Sequence, residues 1–204
     1  LSVINMAMTD NWVVVATGMT GVVTGPTYLH NGGRALIFKN NNGILDPSSA
    51  QVLKGPMGLF ANDGPGFGNS IKPVAITDNW ALVTAFYDDR AFLYKNTAGT
   101  WSTDPYQTYS YTASGHDAAQ KDHTFGSTCA MSDNWVIIGA PAADFVNIYP
   151  LPGTGGNGAS LSGILVPTSW NTSGHNYGTW GSYVDIADNW AIVAGAHQQW
   201  GDST

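Results

Sequence analysis

TDNWALVTA, from Thr77 to Ala85, joins a polar turn signal to an apolar run, and close copies of it occur four times in the chain. The other three copies read TDNWVVVAT, SDNWVIIGA and ADNWAIVAG. Their aspartates are Asp10, Asp78, Asp133 and Asp188, which are 68, 55 and 55 residues apart. Self-similarity with a period of this size indicates a repeat architecture. The chain is therefore predicted to use one structural unit about three and a half times.

Each copy predicts a β-hairpin. Asp and Asn tolerate the positive φ that a tight hairpin turn requires, and apolar segments flank the pair on both sides. The tryptophan that follows opens the second strand, where a large ring can cover the joint between neighbouring sheets. The residues with these turn and packing roles are Asp10, Trp12, Asp78, Trp80, Asp133, Trp135, Asp188 and Trp190.

Two further strands are predicted in each unit. The third is RALIFKN, RAFLYKN or FVNIYPL, and the first two of these end in the Gly-containing turns NNNG and NTAG. The fourth is weaker and reads AQVLK, YQTYSYT or SGILVPT. Four antiparallel strands in about 55 residues, without a credible helix, predict an all-β fold whose unit is a β-propeller blade.

The third copy carries a motif that resembles a known repeat. Phe125-Gly126, followed by CAMSDNWVIIGAP, resembles the FG-GAP repeat of the integrin alpha-subunit head and of many secreted propellers. The resemblance implies blades near 1–66, 67–124 and 125–179 and a partial blade at 180–204. FG-GAP propellers usually close with seven blades, so we expect the missing blades to come from further sequence or from partner chains. The first copy lacks the aromatic-Gly dipeptide, which suggests that the sequence starts inside a repeat.

Composition narrows the class of partner. Charged residues are 10% of the chain, against roughly 25% in an ordinary soluble domain. The net charge of -7, with only 7 Lys and Arg, disfavours nucleic acid, because phosphate binding relies on clustered cations. No run of 18 apolar residues is present, which argues against membrane insertion. The single Cys129 excludes an internal disulfide, so it either pairs between chains or lies buried in a strand.

Metal and catalytic motifs are sparse. Integrin-type blades can hold calcium in a D-x-D-x-D-G loop, but the equivalent loop here is only Asp-Asn, so we predict no metal and no cofactor. The sequence has no G-x-S-x-G, H-E-x-x-H or phosphate-loop motif. Asp88, Asp89 and Arg90 form a charged corner that we interpret as a solvated turn with a local ion pair. The sequence therefore favours a protein that is not an enzyme, and a hydrolase is the least favoured hypothesis.

Binding is expected on the face that carries the long loops, since loops on a rigid scaffold commonly hold binding residues. The candidates on this face are Tyr28, His30, Asp88, Arg90, His116, His175, Tyr177, His197 and Trp200. Exposed loop histidines and aromatic plugs on the blade tops are the structural alternatives. The sequon at Asn171 would be glycosylated in a protein that a eukaryote secretes.

Two hypotheses for function follow from these observations. The first is an extracellular or cell-surface module for adhesion or structural assembly, with protein partners or copies of itself. The alternative is a carbohydrate-binding lectin that uses the long-loop face to bind glycans.

Overall fold

The computed structural model describes residues 2–18, 34–55, 74–85, 89–111, 124–153, 163–165, 179–188 and 190–195. In these residues the chain is all-β, and every strand pair is antiparallel. The only helical element among them is a single 3-10 turn at Pro141–Ala143. The predicted all-β class is confirmed.

The described strands form four sheets, numbered here in chain order. Sheet 1 contains β1 (Ser2–Met8), β2 (Trp12–Gly18), β3 (Arg34–Asn41) and β4 (Ile44–Leu53). Sheet 2 contains β5 (Val74–Ile76), β6 (Trp80–Ala85), β7 (Arg90–Thr97), β8 (Thr100–Trp101) and β9 (Gln107–Ser110). Sheet 3 contains β10 (Thr128–Met131), β11 (Trp135–Ala140), β12 (Phe145–Pro150) and β13 (Gly163–Leu165), and sheet 4 contains β14 (Tyr183–Ala187) and β15 (Trp190–Ala194). Neighbours in sequence are neighbours in each sheet, except that β8 and β9 both pair with β7.

The Asp-Asn turns are closed by a hydroxyl group. Thr9 Oγ1 accepts hydrogen bonds from the backbone N–H groups of Asn11 and Trp12, at 3.2 and 3.1 Å. Thr77 Oγ1 accepts the same two bonds in the second turn, at 3.4 and 3.2 Å. The side-chain oxygen thus caps N–H groups at the turn, as in other Ser and Thr turns.

The expectation of positive φ at these turns is wrong for Asp10, Asp78 and Asp133, which have ordinary negative φ. It holds for Asp188, whose φ is 50°. The fourth copy has Ala187 where the others have Thr or Ser, so no hydroxyl is available there to cap the turn.

Positive φ is found instead at the turns that follow the third strands. Asn42 and Gly43 have φ of 54° and 87°, and Ala98 and Gly99 have 51° and 89°. Two consecutive residues with positive φ form a type I′ turn, whose backbone twist matches the right-handed twist of the two strands that it joins. The predicted Gly-containing turns are confirmed.

In each of the first two sheets, a buried or half-buried asparagine joins the two hairpin turns that lie at the same end of the sheet. Asn40 Nδ2 donates to the carbonyl oxygen of Thr9 at 2.9 Å, and Asn40 Oδ1 accepts from the N–H of Gly43 at 2.8 Å. Asn96 makes a similar pair of bonds, to the carbonyl of Asp78, one residue further along the turn, and to the N–H of Gly99, both at 2.9 Å. The recurrent Lys-Asn pair in the third strands therefore reflects a contact between two turns.

Three apolar cores lie between successive sheets. The core between sheets 1 and 2 contains Trp12, Val14 and Phe92, among other residues. The core between sheets 2 and 3 contains Leu82 and Phe125, together with Cys129, whose thiol is buried in β10. The smaller core between sheets 3 and 4 contains Ile137, Val146 and Val184. Strands β5, β10 and β14, which open sheets 2, 3 and 4, each contact the first two strands of the preceding sheet.

Candidate interaction surface

Most of the predicted binding-face residues lie outside the described residues. These are Tyr28, His30, Asp88, His116, His175, Tyr177, His197 and Trp200, and the sequon residue Asn171 is also among them. The lectin hypothesis depends on these residues and stays a prediction. Arg90 is described: it is the half-buried first residue of β7, where it pairs with Ala85 of β6 and Ser110 of β9.

One of the repeated aspartates connects two sheets directly. Asp78 Oδ1 accepts a hydrogen bond from the Thr9 hydroxyl at 2.6 Å, and its Oδ2 accepts one from Asn11 Nδ2 at 2.7 Å. The Thr9 hydroxyl therefore donates its one hydrogen to Asp78 of the second turn, and its oxygen accepts the N–H groups of its own turn. In the joint between sheets 3 and 4, the hydroxyl of Ser132 donates to the carbonyl oxygen of Asp188 at 3.2 Å. The Asp-Asn turns thus contribute polar contacts between adjacent sheets as well as hairpin geometry.

A second pair of aspartates bonds sheet 2 to sheet 3 and sheet 3 to sheet 4. Asp89 Oδ1 accepts a hydrogen bond from the backbone N–H of Phe125 at 2.9 Å, and Asp144 Oδ1 accepts one from the N–H of Trp180 at 3.1 Å. Both aspartates are left-handed, with φ of 51° and 55°, and both directly precede a third strand. The interpretation of this corner as a solvated turn is wrong for Asp89, whose half-buried carboxylate accepts a hydrogen bond from the aromatic-Gly dipeptide of the next sheet. Asp88 lies outside the described residues, and the local ion pair of the corner stays a prediction.

Sequence reasoning missed this contact. The recurrence that could have revealed it is an aspartate 55 residues apart, at Asp89 and Asp144, each followed by an aromatic-Gly pair 36 residues later. The local sequence around Asp89 does not reveal the contact, because the hydrogen-bond partners of Asp89 and Asp144 belong to the following unit.

The glycines of the aromatic-Gly dipeptides, together with Gly139, allow close backbone approach. Gly126 and Gly181 have φ of 92° and 87°, a region that side chains rarely occupy. The N–H of Gly126 donates to the carbonyl oxygen of Gly139 at 2.9 Å within sheet 3. A Cβ at Gly139 would overlap the carbonyl oxygen of Gly181 and the hydroxyl of Thr128, which are hydrogen bonded to each other at 2.7 Å. Gly139 therefore leaves room for the backbone of sheet 4.

The four equivalent tryptophans have different environments. Trp12 is 6% exposed and meets Trp101 edge to face, with ring centroids 5.5 Å apart. Trp80 is 8% exposed and belongs to the core between sheets 2 and 3. Trp135 is half-buried. Trp190 differs from the expected packing role, because 82% of its surface is exposed.

Trp190 belongs to an exposed apolar face of sheet 4. Ala187 pairs with Trp190, Asp185 with Ile192, and Tyr183 with Ala194, so these six side chains share one side of the sheet. Ile192 is 71% exposed and Tyr183 is 63% exposed. We call this side, defined by Tyr183, Asp185, Ala187, Trp190, Ile192 and Ala194, the sheet 4 face.

The equivalent side is covered in the preceding sheets. One repeat earlier, the positions of Trp190 and Ile192 are those of Trp135 and Ile137, and Ile137 is fully buried against sheet 4. Contiguous exposed apolar surface marks an interaction site more often than isolated exposed residues do. The sheet 4 face is the candidate interaction surface of the described residues.

Two tyrosines, Tyr94 and Tyr109, are buried in the cores between sheets. Burial raises the pKa of Tyr94 and Tyr109, and the nearby Asp104 and Tyr149 respectively raise it further. The Tyr94 hydroxyl donates to the carbonyl oxygen of Lys54 at 2.7 Å, which joins sheets 1 and 2. Both phenols therefore stay neutral over the physiological pH range and serve packing.

The described residues contain no group of three or more His, Cys, Asp or Glu side chains placed to hold a metal ion. Among them there is also no helix with the length and hydropathy required to cross a membrane. A scan against protein-family models finds no match, and a search of curated proteins finds no significant similarity.

Proposed function

We propose that this chain is a segment of an FG-GAP-type β-propeller that acts in the extracellular space or at a cell surface as a binding and assembly module. Its work is binding and not catalysis, and the sheet 4 face is the surface that docks a protein. The single observation that carries the proposal is the exposure of Trp190, Ile192 and Tyr183 on the side that is packed in the preceding sheets.

The propeller arrangement is supported by three features of the described residues. The strands of each sheet follow sequence order, successive sheets share cores, and an aspartate before the third strand binds the next aromatic-Gly pair. Consecutive propeller blades would bind each other in this repeated way, which supports the proposed arrangement.

The chemistry of the sheet 4 face favours a protein partner. Trp and Tyr are enriched at protein interfaces because they bury a large area and keep one polar atom for hydrogen bonding. Asp185 adds one charge to an otherwise apolar and aromatic surface. The chain's low content of Lys and Arg, 7 in total, makes a polyanionic partner a poor match.

Photocross-linking in the native source tests this function. A photoreactive residue is placed at position 192 and, as the control, at position 44, because Ile192 and Ile44 are exposed to nearly the same extent, 71% and 73%. We expect polypeptide adducts from position 192 and none from position 44, because Ile44 lies at the β3–β4 turn and outside the sheet 4 face. The absence of an adduct at position 192 would overturn the proposed function.

A further inference from the structure

The third strand of sheet 3 contains a buried asparagine where the first two units have an apolar residue. In the aligned strands RALIFKN, RAFLYKN and FVNIYPL, the third position is Leu36, Phe92 and Asn147. Phe92 belongs to the apolar core between sheets 1 and 2. Asn147 is fully buried. Its carboxamide needs hydrogen-bond partners inside the protein, because burial of a polar group without them is unfavourable.

Asn147 faces sheet 2, at a point between two tyrosines of that sheet. Residues two apart on β12 share one side, so Asn147 lies between Phe145 and Tyr149, which both belong to the core between sheets 2 and 3. The ring of Tyr149 packs on Tyr109 of β9, with centroids 4.6 Å apart. The ring of Phe145 packs on Tyr111, with centroids 5.2 Å apart. The two tyrosines therefore flank the position opposite Asn147.

Two polar atoms that come together here have no hydrogen-bond partner among the described residues. They are the hydroxyl oxygen of Tyr109 and the carboxamide oxygen of Asn147, and both are buried. The other end of the carboxamide is used, because Asn147 Nδ2 donates to the hydroxyl of Tyr149 at 3.0 Å. The Tyr109 hydroxyl has a hydrogen to donate, and an amide oxygen accepts. One donor and one acceptor thus remain in the same core.

A single water molecule matches this pair of groups. It accepts a hydrogen bond from the Tyr109 hydroxyl and donates one to the Asn147 carboxamide oxygen. Buried waters typically make about three hydrogen bonds to polar groups that lack other partners, and the neighbouring Tyr149 hydroxyl offers a third. The side chain of asparagine is also smaller than that of Phe92 at the equivalent position, which favours space for a molecule of this size.

We infer that the core between sheets 2 and 3 binds one buried water molecule, which bridges the Tyr109 hydroxyl and the Asn147 carboxamide. The water links β9 of sheet 2 to β12 of sheet 3 through the interior of the joint. The joint between sheets 1 and 2 is linked differently, because the Tyr94 hydroxyl donates directly to the carbonyl oxygen of Lys54. The two joints therefore differ chemically although their strands align.

A crystal structure of the full chain that shows ordered water tests the site directly. We expect a water oxygen within about 2.7–3.2 Å of both the Tyr109 hydroxyl and the Asn147 carboxamide. No water at this position would overturn the inference. A direct hydrogen bond from Tyr109 to Asn147, or to a side chain elsewhere in the chain, would overturn it as well.

Tyr109→Phe tests the same site in solution. This substitution keeps the ring and removes only the hydroxyl, so it should leave the fold intact. If water bridges the two groups, we expect the unfolding equilibrium constant to rise about five- to tenfold, as for one lost hydrogen bond. A hydroxyl buried without a partner would give the opposite sign, because its removal relieves an unfavourable burial. Unchanged or increased stability in urea titrations would therefore overturn the inference.

A double-mutant cycle tests whether Tyr109 acts through Asn147. Asn147→Leu removes the acceptor, so in that background Tyr109→Phe should raise the unfolding equilibrium constant by less than about twofold. Tyr94→Phe is the matched control, because it removes another buried hydroxyl from the joint between sheets 1 and 2. Its effect should be equal in both backgrounds. Additive effects of Tyr109→Phe and Asn147→Leu would contradict a shared water.

The water site and the proposed function fail independently. The site lies in a core between sheets, whereas the proposed function uses Ile192 and its neighbours on the sheet 4 face. A water at Asn147 without cross-linking from position 192 would leave this inference standing and overturn the function. Cross-linking from position 192 without the water would do the reverse.

Discussion

Replacing Asp89 or Asp144 separates the hydrogen bond between sheets from the backbone conformation that presents it. Each aspartate provides an acceptor for an N–H of the next sheet and occupies the left-handed region, with φ of 51° and 55°. Asn retains both properties, Gly retains only the tolerance of positive φ, and Ala retains neither. The three substitutions at one position therefore form an internally controlled series.

The expected free energies follow from these two terms. A hydrogen bond to a charged acceptor contributes about 1.5–3 kcal/mol, and a left-handed non-Gly residue costs about 1–2 kcal/mol. At position 89 we therefore expect the free energy of unfolding to fall by about 1 kcal/mol or less for Asn, about 1.5–3 kcal/mol for Gly and about 2.5–5 kcal/mol for Ala. The same order should hold at position 144.

Urea unfolding followed by tryptophan fluorescence gives the stabilities, and hydrogen exchange of the Phe125 amide reports the contact directly. That amide should exchange faster in the Gly and Ala variants and stay protected in Asn. Asp133 is the control, since it is exposed and has negative φ, and its substitutions should stay within about 0.5 kcal/mol. Equal losses for Gly and Ala, or unchanged exchange at Phe125, would refute the assignment.

Three other predictions follow from the cores. Trp12→Ala should lower the free energy of unfolding by about 3–5 kcal/mol, whereas Trp190→Ala in dilute solution should change it by less than about 0.5 kcal/mol; equal effects in denaturant titrations would contradict the difference in burial. Gly139→Ala should cost about 1–3 kcal/mol or more because its Cβ meets the backbone of Gly181, while Ala194→Gly, at the equivalent position of sheet 4, should cost only about 1 kcal/mol or less; thermal unfolding compares the two. Since burial raises the pKa of Tyr94 and Tyr109, the unfolded chain ionises first, so stability should be constant below pH of about 10 and fall above it by up to about 1.4 kcal/mol per pH unit for each tyrosine; Tyr94→Phe should reduce that slope, and an unchanged slope would count against the pKa shift.

The strands could be predicted because their signal is local. RAFLYKN alternates or runs apolar over its whole length, and β7 occupies Arg90–Thr97. The fourfold recurrence predicted where each hairpin lies, because every copy has a polar turn followed by an apolar strand. Even the asparagine of the Lys-Asn pair recurs in the sequence, although its role as a bond between turns became evident only from the structure.

The turn conformation could not be predicted from Asp and Asn alone. The hydroxyl oxygens of Thr9 and Thr77 accept hydrogen bonds from backbone N–H groups of the turn, and the aspartates there keep a negative φ. In the fourth copy Ala187 has no hydroxyl to accept such a bond, and Asp188 has a positive φ. The neighbour before the turn, which seemed part of a strand, decides the backbone angles of the turn.

The exposed sheet 4 face could not be predicted from local sequence either. Trp12 and Trp190 have the same sequence context, but one is covered by sheet 2 and the other is exposed on sheet 4. Exposure depends on whether another sheet is present on that side, which no local pattern encodes. Sequence analysis therefore placed binding on the long loops and assigned Trp190 to packing.

Oxidative footprinting of the equivalent tryptophans, read by mass spectrometry in the purified chain and in the native source, is the most direct test of the account. Trp12 and Trp80 should resist oxidation in both, because they lie in the joints between sheets. Trp190 should be oxidised rapidly in the purified chain and become protected in the native source, where a protein partner docks on the sheet 4 face. A Trp190 that reacts equally in both, or a Trp12 that reacts as fast as Trp190 in the purified chain, would contradict the account.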